Sequence, residues 1–180
     1  MKVEFFIGDL VEVKSDILIT ALNCSNPFSD RADKLIIEVV GKFFHSESLS
    51  FLEHMKNIGQ EPEMLTIINE ETKNNFKGII FIVDDVKTPL EEIIYEAFIN
   101  CNHQGFKTIS ISVLGFEKLL DFDFPEEAIE IVKAMVKGIK RGDEYIKKNP
   151  NLFNEELPEE VRIIVSEKNR KMIELFQGFL

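Results

Sequence analysis

Residues Gly8 to Gly41 contain three informative pieces of sequence: GDL (8–10), DILITALN (16–23) and ADKLIIEVVG (32–41). The middle piece is a short apolar run that predicts a buried strand closed by Asn23, and the last piece has the apolar period of a helix that begins near Asp33. A polar side chain at the carboxyl end of a strand, facing a helix N-terminus, lies where α/β sheets gather their ligands. The stretch therefore predicts an α/β fold with a ligand site beside Asn23.

The same alternation of apolar runs and helical segments continues along the chain. Six runs predict strands: VEFFIG (3–8), DILITAL (16–22), LTIIN (65–69), GIIFIVDD (78–85), TISISVLG (108–115) and VRIIVS (161–166). Two of the helices between them have clear starts, one with Thr88 as N-cap and Pro89 in its first turn, the other at Pro125. Strands that alternate with helices favour βαβ units. We predict a three-layer α/β/α fold around a mixed, mostly parallel sheet, with GIIFIVDD at its centre.

Length and charge limit the classes of protein and partner. The 180 residues fit one domain (1–180), in which 147–160 is a loop or insertion before the last strand. A net charge of −11, from 32 acidic and 21 basic residues, argues against nucleic-acid binding. A small anion held by backbone N–H groups remains compatible with it. Because no signal-peptide core and no membrane-length apolar run stand in the sequence, we expect a cytoplasmic protein without a membrane partner.

The cysteines and histidines show no metal-binding pattern. Cys24 and Cys101 have neither metal-ligand spacing nor a disulfide framework, so we interpret both as reduced thiols. The three histidines are scattered along the chain, at His45, His54 and His103. We therefore predict neither a metal site nor a cofactor.

The order of these pieces resembles that of macro domains, the ADP-ribose-binding (Appr-1″-p processing) family. Macro domains begin with a strand that leads to Gly-Asp-Ile, and this chain has Gly8-Asp9-Leu10. The resemblance implies that Asp9 accepts a hydrogen bond from the adenine amino group and that Leu10 belongs to the same ligand-binding turn. A carboxylate suits that role because it is an acceptor only when ionised. The alternative is a plain turn in which Asp9 caps the next element.

The family's next strand, similar to D-A-I-V-N-A-A-N, matches DILITALN at both ends, with Thr20 in place of the first Asn. The resemblance implies that Asn23 contacts the distal ribose and takes part in catalysis in hydrolytic branches, several of which keep an acidic residue where Asp33 stands. The alternatives are an Asn23 that closes the strand in a turn and, the role we favour, an Asp33 that caps the helix. Residues 29–31 are Ser-Asp-Arg, whereas the family has glycines that let the backbone approach the ligand.

The family's second phosphate loop, S-T-G-x-F/Y-G, is represented here by Ser112-Val113-Leu114-Gly115-Phe116. The resemblance implies that backbone N–H groups of this segment hold a diphosphate and that Phe116 flanks the distal ribose. Only one glycine followed by an aromatic residue is retained. The aromatic residue that stacks on adenine in many macro domains has no counterpart at Glu167-Lys168.

Three functions are compatible with this pattern. The first is binding of ADP-ribose or a related nucleotide. The second is a macro-fold domain without nucleotide binding that acts through a protein partner. The third is hydrolysis of an ADP-ribosyl bond, with Asn23 or Asp33 orienting water, which requires rigid loops. The sequence leaves enzymatic activity open.

Overall fold

The computed structural model describes residues 1–9, 12–22, 41–59, 64–68, 75–83, 88–112, 125–153, 158–165 and 167–180. The strands are β1 (Lys2–Ile7), β2 (Ile17–Leu22), β3 (Met64–Ile68), β4 (Gly78–Val83), β5 (Thr108–Ser112) and β6 (Glu160–Val165). The α-helices are α1 (Lys42–Asn57), α2 (Leu90–His103), α3 (Pro125–Lys148) and α4 (Ile173–Gln177). Two 3₁₀ helices, Pro150–Leu152 and Glu167–Met172, flank β6. Among the described residues, no helix is long and apolar enough to cross a membrane.

The six strands form one sheet in the order β1-β6-β5-β2-β4-β3. All neighbours run parallel except β3, which pairs antiparallel with β4. The prediction of an α/β fold with a mixed, mostly parallel sheet is therefore confirmed. We call the edge at which the parallel strands β1, β2, β4, β5 and β6 end the carboxyl edge, and the opposite edge the amino edge.

Hydrophobic residues on both faces of the sheet are buried. On one face, α2 and α3 pack on the larger core, to which β2 contributes Ile17 and Ile19. On the other face, α1 contributes Phe44 to a second core that includes Leu18 of β2. Consecutive residues of β2 thus enter opposite cores, as the two-residue period of a strand requires. The result is a sheet between helical layers, in agreement with the three-layer prediction.

The prediction that GIIFIVDD occupies the sheet centre is wrong. The strand β4 lies beside the edge strand β3, and the central strands are β5 and β2. Ile80 and Ile82 of β4 enter the larger core, whereas Ile79 and Phe81 enter the second. A continuous apolar run indicates that both faces of a strand are buried. It does not indicate the strand's position in the strand order.

Helix boundaries follow the predicted signals with small shifts. The helix α2 begins at Leu90, and its N-cap is Pro89 rather than Thr88. Gly105 follows the end of α2 with a φ of 74°, in the left-handed region that favours glycine. The helix α3 begins at Pro125 as predicted and continues to Lys148, so the first residues of the predicted 147–160 loop are helical.

Candidate functional site

The strand order places a topological switch point at the centre of the carboxyl edge. The strands β2 and β5 are neighbours, but the chain leaves β2 toward β3 and β4 on one side and leaves β5 toward β6 on the other. Connections that diverge from adjacent parallel strands open a crevice beyond their carboxyl ends, where α/β proteins bind ligands. We call the region directly beyond the carboxyl ends of β2 and β5, where this rule expects a ligand, the central crevice.

A pair of hydroxyl groups borders the central crevice. The parallel register of β2 and β5 ends at the pair Ile19↔Ile111, whereas β2 stays paired with β4 as far as Leu22. One residue beyond that last pair, the Oγ of Ser112 lies 2.8 Å from the Oγ1 of Thr20. Thr20 is 4% exposed, and Ser112 is half-buried. This hydrogen bond joins β2 and β5 at the point where their backbone pairing stops.

Asp9 lies in a tight turn at the carboxyl end of β1. Its N–H donates to the Oε2 of Glu12 at 3.1 Å, and the N–H of Glu12 donates to the carbonyl of Asp9 at 3.0 Å. Asp9 is exposed, and its carboxylate has no hydrogen-bond or ion-pair partner among the residues that the structure describes. The side chain that caps this turn therefore belongs to Glu12, and Asp9 itself is exposed at the carboxyl edge.

A side chain at Gly8 would displace two neighbouring side chains in the same turn. A Cβ at Gly8 would lie 2.6 Å from both the Oε2 of Glu12 and the Cε1 of Phe6. The N–H of Gly8 donates to the carbonyl of Val165 at 3.1 Å, which extends the pairing of β1 with β6 by one residue. Glycine here lets Glu12 fold back onto the peptide of Asp9.

Of the predicted site residues, Asp9 and Ser112 lie within the described ranges, at the carboxyl ends of β1 and β5. These two strands are separated only by β6, so both residues lie on the carboxyl edge. The remaining predicted site residues lie outside the described ranges, namely Leu10, Asn23, Asp33, Val113, Leu114, Gly115 and Phe116. Their roles stay predictions.

Glu12 and Thr20 lie near the site but were not predicted from the sequence as site residues. The spacing Asp-x-x-Glu from Asp9 to Glu12 is that of a capping box, in which the Glu side chain returns to the first N–H. That local signal was available. The pairing of Thr20 with Ser112 joins residues 92 positions apart and has no local signal.

Asp16, which matches the first residue of the family's strand motif, lies at the amino edge and has a structural role. Its Oδ2 accepts the N–H groups of Lys107 and Thr108 and the hydroxyl of Thr108, each at 3.0 Å. Its Oδ1 accepts Lys77 Nζ at 2.9 Å. Partial burial alone would raise the pKa of this carboxyl, but the hydrogen bonds from Lys77, Thr108 and Lys107 together lower the pKa below its ordinary value.

A shallow depression of about 310 Å³ lies beside Asp16 and is lined by Asp16, Lys77, Gln104, Gly105 and Phe106. It opens at the amino edge, across the sheet from the central crevice. Both carboxylate oxygens of Asp16 are already hydrogen-bonded to the protein. We therefore assign this depression no part in the candidate site.

The part of the chain that the structure describes contains one free cysteine and no cluster of metal-binding residues. Cys101 is a free, buried thiol, and burial raises its pKa, so that it stays protonated at neutral pH. Within the described ranges, no group of three or more His, Cys, Asp or Glu residues is placed to hold a metal ion. Cys24 lies outside those ranges.

Comparison with known proteins identifies the fold. No protein-family model matches the chain, and a search of curated proteins gave no match. Among solved structures, an Oceanobacillus iheyensis macrodomain with MES bound aligns with a TM-score of 0.64 at 17% identity, covering 98% of this chain and 90% of that chain. A Trypanosoma brucei macrodomain in complex with ADP-ribose aligns with a TM-score of 0.62 at 11% identity, covering 98% and 69%.

The macrodomain of Mycobacterium tuberculosis DarG aligns with a TM-score of 0.54 at 12% identity, covering 91% of this chain and 96% of that chain. All three similar structures are macrodomains, and each alignment covers at least 91% of this chain. The chain thus has the macrodomain fold, and the prediction of a divergent macro domain is confirmed at the level of the fold.

Proposed function

We propose that the chain binds ADP-ribose, or a closely related nucleoside diphosphate sugar, across the carboxyl edge of its sheet. The observation that carries the proposal is the separation of two features on that edge. The exposed residue Asp9 follows β1, and the central crevice lies beyond β5 and β2. Three strand steps separate β1 from β2, which corresponds to about 14 Å at the usual spacing of strands. A ligand that reaches both features needs two polar ends and a linker.

A nucleoside diphosphate joined to a second sugar meets that requirement. At one end, the carboxylate of Asp9 accepts a hydrogen bond from the exocyclic amino group of adenine. At the other end, Asn23 is the residue directly after β2, and its amide both donates to and accepts from ribose hydroxyls. Between them, backbone N–H groups of residues 112–116 hold the diphosphate. Backbone donors suit an acidic protein because they bind anions without basic side chains.

Two proteins of the same fold support this class of ligand. The Trypanosoma brucei macrodomain is in complex with ADP-ribose, and an Oceanobacillus iheyensis macrodomain has been solved with ADP. Both carry an adenosine diphosphate, which is the part of the ligand that the proposal assigns to Asp9 and to residues 112–116.

Calorimetric titration with ADP-ribose tests the proposal. We expect saturable binding by the wild-type protein, and a dissociation constant at least about tenfold higher for Asp9→Ala, because a hydrogen bond to a charged group contributes about 1.5–3 kcal/mol. A similar loss is expected for Asn23→Ala. Glu96→Ala is the matched control, since Glu96 is an exposed carboxylate on α2 outside the candidate site.

A folded wild-type protein that gives no heat at millimolar ADP-ribose would overturn the proposal and favour a macro-fold domain that acts through protein contacts. Equal affinities of wild type and Asp9→Ala would keep the ligand but remove Asp9 from the site. Release of ADP-ribose from a modified protein, lost in Asn23→Ala, would extend the proposal to hydrolysis.

A further inference from the structure

We infer that Thr20 is a positioning residue of this site, whose buried hydroxyl orients the hydroxyl of Ser112 toward a phosphate oxygen of the bound nucleotide. The inference rests on the proposed function and deepens it. Thr20 stands where the macro-domain motif has its first Asn. The contact between Thr20 and Ser112 therefore depends on a residue at which this chain differs from the motif.

The Thr20–Ser112 pair borders the central crevice. Thr20 and Ser112 lie one residue beyond the last backbone pair of β2 and β5. The carboxyl ends of β6 and β5 lie between that of β1, which bears Asp9, and that of β2. The proposed function assigns the diphosphate to residues 112–116, which begin at the end of β5. Ser112 is the last residue of that strand.

Among the described residues, the count of protons and acceptors favours one direction of this hydrogen bond. The two hydroxyls carry two protons, and either oxygen can donate to the other because a hydroxyl hydrogen rotates. The other acceptor within reach among the described residues is the carbonyl of Ile19, at a long 3.5 Å from the Oγ of Ser112. If Ser112 donated to Thr20, the buried proton of Thr20 would have no acceptor there, which is costly. We therefore take Thr20 as the donor and Ser112 as the acceptor.

With Thr20 as donor, the proton of the half-buried Ser112 hydroxyl is the one left for the crevice. A phosphate oxygen is a strong acceptor for such a proton, and a hydroxyl bound to an anion makes a shorter, stronger hydrogen bond than a neutral pair does. Thr20 does not touch the ligand in this arrangement. It removes the competing orientation in which Ser112 donates back into the protein.

The strand also contains a matched control. Ser110 is two residues before Ser112, so its side chain is on the same face of β5. It is fully buried, and its Oγ has no hydrogen-bond partner among the described residues. The hydroxyl of Thr108, two residues earlier still, binds Asp16 at the amino edge. Of these three residues on one face of β5, only Ser112 reaches the carboxyl edge.

The test is a set of variants titrated with ADP-ribose and with adenosine, which lacks phosphate. Thr20→Val keeps the shape of the side chain and removes its hydroxyl. We expect it to raise the dissociation constant for ADP-ribose about three- to tenfold, the equivalent of one neutral hydrogen bond, and to leave that for adenosine unchanged. Thr20→Ser should restore the wild-type affinity. Ser112→Ala should act like Thr20→Val, and the double variant should be no weaker than Ser112→Ala.

Ser110→Ala should bind both ligands as the wild type does. If Thr20→Val does not fold, the comparison of Ser112→Ala with Ser110→Ala decides, since the inference requires a loss for ADP-ribose alone in the first and none in the second. A wild-type affinity for ADP-ribose in Thr20→Val would overturn the inference and leave the proposed function standing. Equal losses for both ligands would also overturn it, because they indicate a merely structural role. A wild-type protein that binds neither ligand would overturn the proposed function and the inference with it.

Discussion

Gly138→Ala is expected to lower the free energy of unfolding by about 3 kcal/mol, at the upper end of the usual cost of overpacking. A Cβ at Gly138 would lie 2.6 Å from the carbonyl oxygen of Glu91 and 2.9 Å from the Cβ of Ile94. Both atoms belong to α2, and one of them is backbone. A rotamer change therefore cannot relieve the contact, and α2 or α3 has to move.

The sign of this effect is opposite to that of helix propensity. In an exposed helix interior, alanine is about 1 kcal/mol more favourable than glycine. Gly142, one turn further along α3, is similarly close to its neighbour, because its Cβ would lie 2.5 Å from the Cδ1 of Phe98. The two glycines share one face of α3 and allow α2 and α3 to approach closely. Tertiary packing thus outweighs local preference on this face.

Urea unfolding followed by circular dichroism measures the effect. Gly178→Ala is the matched control, because Gly178 has a helical φ of −65° and the nearest heavy atom to its added Cβ would be 3.7 Å away. That variant should be as stable as the wild type or up to about 1 kcal/mol more stable. If Gly138→Ala were as stable as Gly178→Ala, that result would contradict the close packing of α2 against α3 at Gly138.

Asp16→Asn is expected to lower the free energy of unfolding at pH 7 by about 2 kcal/mol, because a neutral amide oxygen replaces the charged acceptor of the Lys107 and Thr108 donors and the ion pair with Lys77 is lost. One oxygen of Asp16 accepts two backbone N–H groups at the start of β5, from Lys107 and Thr108, and the other accepts Lys77. An asparagine has a single acceptor oxygen, and its NH₂ group would face donors on one side. The variant therefore loosens the junction of β2 and β5 at the amino edge.

The pH dependence of this difference has a definite sign. The pKa of Asp16 is lowered in the folded protein from an ordinary value of 3.8. A depressed carboxyl pKa contributes stability that is present above the ordinary value and is lost as the pH falls through the folded pKa. The stability gap between wild type and Asp16→Asn should therefore be constant from pH 7 to about pH 5 and should shrink below about pH 4.

Urea titrations of both proteins at pH 7, 5, 3.5 and 2.5 measure that gap. Glu130→Gln is the control, because Glu130 pairs with Lys133 on the exposed surface of α3 and exposed pairs contribute little to stability. The difference in free energy of unfolding between Glu130→Gln and the wild type should be small at every pH. A gap for Asp16→Asn that widened on acidification would contradict the arrangement of donors around Asp16.

Much of the fold follows from local sequence. The apolar runs of β2, β4 and β5 and the start of α3 at Pro125 are properties of neighbouring residues, and each was predicted from them. The α/β class and the mostly parallel sheet follow from the order of these elements. The turn at Gly8-Asp9 is also local, and its Asp-x-x-Glu spacing carried a signal for Glu12.

The order of strands was decided only by the tertiary structure. A strand's sequence reports which of its own faces are buried, so β4 has the appearance of a central strand although it lies beside β3. The contacts that join β2 to β5 depend on residues 92 positions apart, namely Asp16 with Thr108 at the amino edge and Thr20 with Ser112 at the carboxyl edge. Local propensities contain no information on such pairs. By itself the sequence determined the elements and the polar residues at their ends, whereas packing decided which ends meet and thereby where the central crevice lies.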